Sequence, residues 1–358
     1  MSWLLAFLGF AALIILHEFG HFTAAKAVGM RVEKFSLFFG PMIASWRRGE
    51  TTYGIGPIPL GGYVKITGMN PNEEIPDEVA HRAYYRQPVW KRIVVILAGP
   101  VVNLVIAFVL IAGLLLANGY NEPTSNVGTV ERGFPAAGVL ERGDKLVAVD
   151  GARGDQQALA AKIASHTCAE QPPKPGCKAS EPAKVTVVRD GQERTFTLTP
   201  VYDGNQGRTR LGFGFQVDAR DANLATAARL SAQSMWDVTS QTVSTIAGVF
   251  QAEKREQIGS VVGAYEATRQ SFEFSTTRAI SLLAIISLSL GVINLFPFLP
   301  LDGGHIFWAV AEKVRGRAIP FAVMERAGFI GFALVIGLFM IGLTNDIGRL
   351  TGEGFNVR

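Results

Sequence analysis

Four long apolar blocks constrain this chain most, because backbone inside hydrocarbon has no water to satisfy its N–H and C=O groups. They run from Trp3 to about Val28, from about Ile93 to Ala117, over roughly Thr277 to Leu295, and from Ile319 to Leu343. At about 1.5 Å of rise per residue, each can cross the roughly 30 Å hydrocarbon layer as a helix. Composition agrees: 18% of the residues are charged, against about 25% in an ordinary soluble domain, and the mean hydropathy is +0.24. The first block opens on Met1-Ser-Trp-Leu with no basic stretch and ends on no small-residue cleavage site. It reads as a span rather than a removable signal peptide.

The net charge of +4 is explained by Lys and Arg flanking the spans, so no nucleic-acid partner is expected. Basic residues from Arg31, Arg47 and Arg48 to Lys91 and Arg92 crowd the first connection, and Lys313, Arg315 and Arg317 the third. No Lys or Arg precedes the first block. The positive-inside tendency therefore puts both termini outside and these two connections in the cytosol. The long second connection is then extracytoplasmic. It holds both cysteines, Cys168 and Cys177, which suit a disulfide clipping a Pro-rich loop better than a zinc site; free thiols are the alternative.

The first connection contains β-branched and aromatic runs punctuated by Gly and Pro, over 32–41 and 51–66. They read as strands and turns apolar enough to dip into the membrane, shielded there by protein or a watery cavity. From about Pro123 to Val201 the chain reads as soluble protein. Strands are expected at Asn126–Val130 and on either side of an Asp190-Gly191 turn, with a helix over Asp155–Ala164 between them. After about Asn223 an amphipathic, Ser/Thr-rich stretch to Phe250 suits the outer membrane surface.

Inside the first block stands His17-Glu18-Phe19-Gly20-His21. On a helix, residues four apart share a face, so both imidazoles can hold one zinc, with Glu18 beside them to take a proton from the attacking water. Ionisable groups in an apolar span imply a polar interior where they work; the plain alternative is packed, hydrogen-bonded core residues. A third ligand must come from another segment, and His81, His166 and His305 are weak candidates. Asp302, in Asn294-Leu-Phe-Pro-Phe-Leu-Pro-Leu-Asp-Gly-Gly-His, is a better one. Pro297 and Pro300 prevent an ordinary helix and Gly303 and Gly304 permit a sharp turn. An ordinary loop carboxylate is the alternative.

These elements together resemble the site-2 protease family of intramembrane zinc metalloproteases, in its bacterial regulated-intramembrane-proteolysis group. Ile15-Leu-His-Glu-Phe-Gly-His-Phe is similar to the family's zinc motif, Gly61-Gly-Tyr-Val-Lys to its membrane-dipping β region, and Asn294 through Gly304 to its LDG motif. Val89-Trp-Lys-Arg and Ala98-Gly-Pro-Val-Val-Asn103 resemble the start of its second helix. The resemblance implies one Zn2+ per chain on His17, His21 and Asp302, with Glu18 as catalytic base and then proton donor to the leaving amine. It puts Asn294 near the substrate backbone or oxyanion, and Gly61, Gly62 and Tyr63 against an unwound substrate strand. Leu299-Pro300 stands where the family frequently has adjacent prolines, and Ile258-Gly-Ser-Val-Val-Gly lacks the proline of its Gly-Pro-rich segment.

The Gly133-Phe-Pro-Ala-Ala-Gly to Val149-Asp-Gly run resembles a single PDZ domain of the bacterial protease type. Its expected role is exclusion of bulky substrates, with tail recognition or plain packing as alternatives. The expected fold is a polytopic α-helical membrane protein with four transmembrane helices, a membrane-dipping β region and one extracytoplasmic PDZ-like domain. Its expected divisions are 1–120 (first two spans and β region), 121–202 (PDZ-like), 203–274 (amphipathic linker) and 275–358 (last two spans). The expected activity is hydrolysis of peptide bonds in or near the span of single-span membrane proteins, such as anti-sigma factors or remnant signal peptides, pre-trimmed by another protease. The expected setting is the bilayer of a bacterial inner membrane, with the active site towards the cytosol. A catalytically idle adaptor is the competing class, disfavoured because Glu18 and Asp302 are both present. A zinc transporter would need polar residues recurring across several spans.

A cysteine introduced near Arg48 should be protected from an impermeant thiol reagent in intact cells, and one near Gly191 should be labelled. The reverse pattern would overturn this orientation.

Overall fold

The structure, a computed structural model, describes residues 1–358 apart from 59–60, 71–72, 169, 171, 205, 353 and 356–358. Pro59 and Leu60, part of the second expected cytosolic run, therefore lie outside the described residues. Two compact units result: Met1–Ala117 together with Asn223–Arg358, and Asn118–Ala222.

In chain order the first stretch holds α1 (Ser2–Ala27), β1 (Val32–Leu37), β2 (Ala44–Arg48), β3 (Thr51–Ile55), β4 (Tyr63–Ile66), α2 (Asp77–Ala80) and α3 (Val89–Asn118). Next come β5 (Tyr120–Val130), β6 (Lys145–Val149), β7 (Ala152–Arg153), α4 (Gln156–Ala164), β8 (Ala183–Arg189), β9 (Gln192–Leu198), β10 (Val201–Asp203), β11 (Arg208–Arg210) and β12 (Phe213–Arg220). The last stretch holds α5 (Leu224–Ala247), α6 (Ala252–Glu256), α7 (Val261–Phe274), α8 (Thr276–Asn294), α9 (Asp302–Arg315) and α10 (Phe321–Thr351). Among the described residues four helices, α1, α3, α8 and α10, are long and apolar enough to cross a membrane.

Local chemistry explains the boundaries. The α1 helix stops where Gly29 takes a left-handed φ of 84°, a conformation cheap only for glycine. Asn223 and Ser275 cap α5 and α8 by accepting from the Thr226 and Arg278 amides. The fourth apolar block was expected to end at Leu343, yet α10 continues to Thr351. Its polar end is satisfied internally. Asn345 Nδ2 donates to the Arg255 and Ile258 carbonyls, and the fully buried Asp346 accepts from Ser260 N, Ser260 Oγ and Gly263 N. Hydropathy alone missed this because such polar side chains find their partners far along the chain.

The expected turn at Gly303-Gly304 is a second difference. Both glycines lie inside α9, which begins at Asp302. A Cβ on Gly303 would stand 2.2 Å from the Leu295 carbonyl oxygen, and one on Gly304 would stand 2.4 Å from the Leu299 nitrogen. These glycines serve close packing of α9 on the preceding irregular loop, and the reversal itself occurs in that loop.

The four-stranded sheet of this unit has the order β2-β3-β1-β4, with β1 parallel to β3 and antiparallel to β4. That leaves β4 as an edge. Val32, Ile66, Ala25, Met30, Tyr84, Val95 and Ile96 form one buried cluster, which seats the sheet against the ends of α1 and α3. Glu50 accepts from Arg82 and Lys26, and the Arg82 bonds foremost hold its carboxyl down to about 2. At the far side, Arg92 makes a two-pronged bond to Glu312 at 2.9 and 2.7 Å, joining the start of α3 to the end of α9.

The second unit has a sheet ordered β12-β5-β6-β8-β9, with β7 on β6. Strand β12 lies beyond residue 202, yet it pairs along β5 from Phe213↔Val130 to Arg220↔Tyr120, so this compact unit runs on to Ala222. Asp190 and Gly191, both at positive φ, make the expected tight turn between β8 and β9. Leu146, Leu159, Val185, Val187 and Leu211 are among its buried core. Cys168 and Cys177 are joined in a disulfide.

Buried Asp144 accepts from Arg189 Nε at 2.7 Å and Arg189 NH2 at 2.6 Å. Those Arg189 bonds hold its carboxyl below the usual carboxylate range. A depressed folded-state pKa gives stability that is present above the unfolded value of about 3.9 and is lost as pH falls through the folded value. Asp144→Asn should therefore speed amide exchange in β6 and β8 by roughly tenfold or more at pH 7, with the gap to wild type closing in acid. Equal exchange at pH 7, read by mass spectrometry, would refute the contribution.

Candidate active site

His17 and His21 sit one helical turn apart on the inward face of α1, 7% and 8% exposed. Their rings meet edge to face with centroids 4.9 Å apart. Asp302 comes from the first turn of α9, where the positive end of the helix dipole favours a carboxylate. His17 Nε2 and His21 Nε2 each lie 3.3 Å from Asp302 Oδ2, and 3.3 Å from one another. The three atoms thus form a nearly equilateral triangle.

Such a triangle is what a metal ion requires. Nitrogen and oxygen ligands about 2.0–2.1 Å from a tetrahedral zinc stand about 3.3–3.4 Å apart. Asp302 Oδ2 is buried and finds no conventional hydrogen-bond partner among the described residues, though it is the atom both imidazoles face. A shared cation fits this convergence of an orphaned oxygen and two nitrogens. Among the described residues, His17, His21 and Asp302 are the one group of three or more His, Cys, Asp or Glu side chains gathered closely enough to hold a metal.

The packing of α3 on α1 makes the triangle available. Gly20 of α1 faces Ala98, whose carbonyl oxygen would be 2.7 Å from a Cβ at that position. Gly99 of α3 faces His21, whose Nε2 would be 2.2 Å from a Cβ there. Two glycines therefore let the helices meet at the height of the histidines. His21 Nδ1 lies 2.9 Å from the Val95 carbonyl, and His17 Nδ1 lies 3.1 Å from Asn103 Nδ2. Asn103 is fully buried, and its backbone carbonyl accepts from Ser287 of α8 at 2.9 Å. In the sequence Asn103 stands only as the last residue of the Ala98-Gly-Pro-Val-Val-Asn103 run, with no role of its own. The available signal was a lone amide in an apolar span.

Glu18 is half-buried beside the histidines, and a Cβ on Gly62 would come within 2.9 Å of its Cγ. The entry to β4 thus runs against the Glu18 side chain. Gly61 packs on the ring of Phe39, which stacks on Tyr63 with an interplanar angle of 5°. Asn294 is the last residue of α8, half-buried at the start of the loop that leads to Asp302. His166 belongs to the other unit, 3.2 Å from Asp150, and His81 follows α2. His305 lies on α9 one turn after Asp302.

Residues 5–338 match the sequence profile of Peptidase family M50. The chain belongs to that family. It is an M50 peptidase with, among the described residues, four helices able to span a membrane, and the resemblance to the site-2 proteases holds over nearly its whole length. It is similar to the Campylobacter jejuni protein named "Putative zinc metalloprotease Cj1068", 27% identical over 357 residues that cover 95% of this chain and 92% of the relative. It is also similar to "Metalloprotease MmpA" of Caulobacter vibrioides, 28% identical over 384 residues covering 95% and 93% of the two chains.

Gly99→Ala should push His21 out of line and weaken metal affinity by about tenfold or more, the scale seen when a ligand's support is lost. Gly113→Ala, on the same helix where an added Cβ would meet no other described residue within 4 Å, should leave it unchanged. Wild-type metal affinity in Gly99→Ala, read by competition with a chelator, would contradict the close approach of α1 and α3.

Proposed function

We propose that this M50 peptidase is an intramembrane zinc endopeptidase that cuts single-span membrane proteins in or near the bilayer. The observation that carries this reading is the 3.3 Å triangle of His17, His21 and Asp302 inside helices able to span a membrane. These three side chains would hold one Zn2+ per chain. When bound, the zinc supplies Lewis-acid polarisation of the scissile carbonyl and acidifies water.

The protein's own groups do the rest. Glu18 takes the proton of the attacking water and delivers it to the leaving nitrogen, so one carboxylate serves as base and then acid. Asn294 steadies the substrate backbone or the developing oxyanion through its side-chain amide. A helical substrate hides its peptide bonds, so it must unwind before attack. Edge strand β4 supports the capture of such an unwound segment by strand addition. It borders a cavity of about 510 Å³ lined by Tyr63, Val64, Lys65, Ile66, Met69 and Glu73. Gly62, at the entry to β4, brings that edge beside Glu18.

The sheet's exposed apolar side chains, Ile43, Trp46 and Ile58, support a β region that dips into the lipid from the cytosolic side. In the proposed arrangement both termini and the second unit lie outside a bacterial inner membrane. That unit, with its disulfide, would be a PDZ-like domain that excludes substrates with bulky external parts. Its substrates are then proteins already trimmed by another protease, with anti-sigma factors and remnant signal peptides as the classes proposed.

The test is Glu18→Gln, which keeps size and removes the basic site. Cleavage of a membrane-reconstituted single-span substrate should fall by a factor on the order of 10² or more, while zinc content and substrate capture stay at wild-type levels. Equal rates in equally metallated proteins would sink the mechanism. Capture without cleavage by either protein would point to an adaptor.

A further inference from the structure

We propose that Asn103 is a positioning residue for His17, and that its side-chain carbonyl, rather than its amide nitrogen, meets the imidazole and accepts a hydrogen bond from a protonated Nδ1. This rests on the reading of His17, His21 and Asp302 as zinc ligands. Both histidines turn Nε2 to Asp302 Oδ2. A neutral imidazole that ligates through Nε2 carries its proton on Nδ1, and that N–H needs an acceptor. His21 has one built into the backbone, the Val95 carbonyl at 2.9 Å. His17 needs the same, and the group at its Nδ1 is the Asn103 amide, 3.1 Å away.

With nitrogen turned inward, Asn103 sets donor against donor. It also leaves its own Oδ1 buried with no partner. The two ends of an asparagine amide have nearly the same shape, so the surrounding network decides which end faces which way. Turning the amide over forfeits no existing bond to Oδ1, because no donor among the described residues reaches that atom. It gives His17 the acceptor its tautomer demands.

The backbone of Asn103 is held for this task. Ser287 of α8 donates to its carbonyl at 2.9 Å, and both residues are fully buried. Gly291, one turn further along α8, faces the Asn103 Cβ and the Pro100 carbonyl. Val95, Gly99 and Asn103 succeed one another at four-residue spacing on α3, one face of that helix. That single face therefore orients both imidazoles, with a backbone carbonyl at one end, a side-chain carbonyl at the other and a glycine between them. The tautomers are set before the metal arrives.

The experiment measures chelator-driven zinc release from the full chain in lipid for wild type, Asn103→Leu, Asn103→Asp, Ser287→Ala and Asp302→Ala. Asn103→Leu, which lacks an acceptor, should release zinc about 10- to 100-fold faster, whereas Asn103→Asp, which presents only acceptors, should stay close to wild type. Ser287→Ala should have a smaller effect than Asn103→Leu. Zinc held normally by Asn103→Leu, or lost equally by Asn103→Asp, overturns the inference while leaving the ligand set intact. Zinc held normally by Asp302→Ala overturns the ligand set itself, and this inference with it. Should Asn103→Leu fail to fold, nitrogen NMR of histidine-labelled wild-type protein decides. Both zinc-bound imidazoles should carry a proton at Nδ1, and a bare Nδ1 on His17 would refute the proposal.

Discussion

The close meeting of α1 and α3 at Gly20 and Gly99 is the contact on which the rest of the site depends. Side chains larger than hydrogen at either position would collide with the Ala98 carbonyl or the His21 ring. With the helices this close, His21 reaches the Val95 carbonyl and His17 reaches Asn103. Each histidine then has its outer nitrogen engaged and its inner nitrogen free to face Asp302. In an apolar surround, unsatisfied polar groups are costly, so the arrangement is restrictive: moving either helix strands several of them at once.

Asp302 arrives by a different route. The loop after α8 returns on itself, and Gly303 and Gly304 let the first turn of α9 settle against the Leu295 and Leu299 backbone. At its other end α9 is tied to the start of α3 through Glu312 and Arg92. The helix that supplies one corner of the triangle is therefore anchored to the helix that orients the other two. The sheet adds the remaining component: the cluster of Val32, Ile66 and Val95 with the end of α1 presents the β4 edge next to Glu18. Glu18 and the strand edge are thus neighbours by packing, not by sequence.

Much of this was legible beforehand. Apolar blocks of spanning length announced four membrane-capable helices, and the four-residue spacing of His17 and His21 implied a shared face. Asp302 was singled out because an acid between prolines and glycines at membrane depth is unusual. The reading of Gly303-Gly304 as a sharp turn was mistaken in kind, since a glycine that permits a turn and one that permits close helix packing look the same in one dimension. The fourth apolar block ends at Leu343, before the polar Asn345 and Asp346, whereas the helix carries on to Thr351. In the fold they are bonded to the segment around Ser260.

By itself the sequence determined the membrane-capable helices, because helix preferences are local and the lipid's demand for paired backbone acts on each block separately. It also determined which chemistry was available, since only a few polar side chains interrupt the apolar spans. The tertiary structure alone decided which of those side chains meet. Asn103, Ser287 and Val95 join the hydrogen bonds around the two histidines only when three helices approach closely. Such an approach depends on matching surfaces at positions far apart in the chain, a property that no local pattern carries.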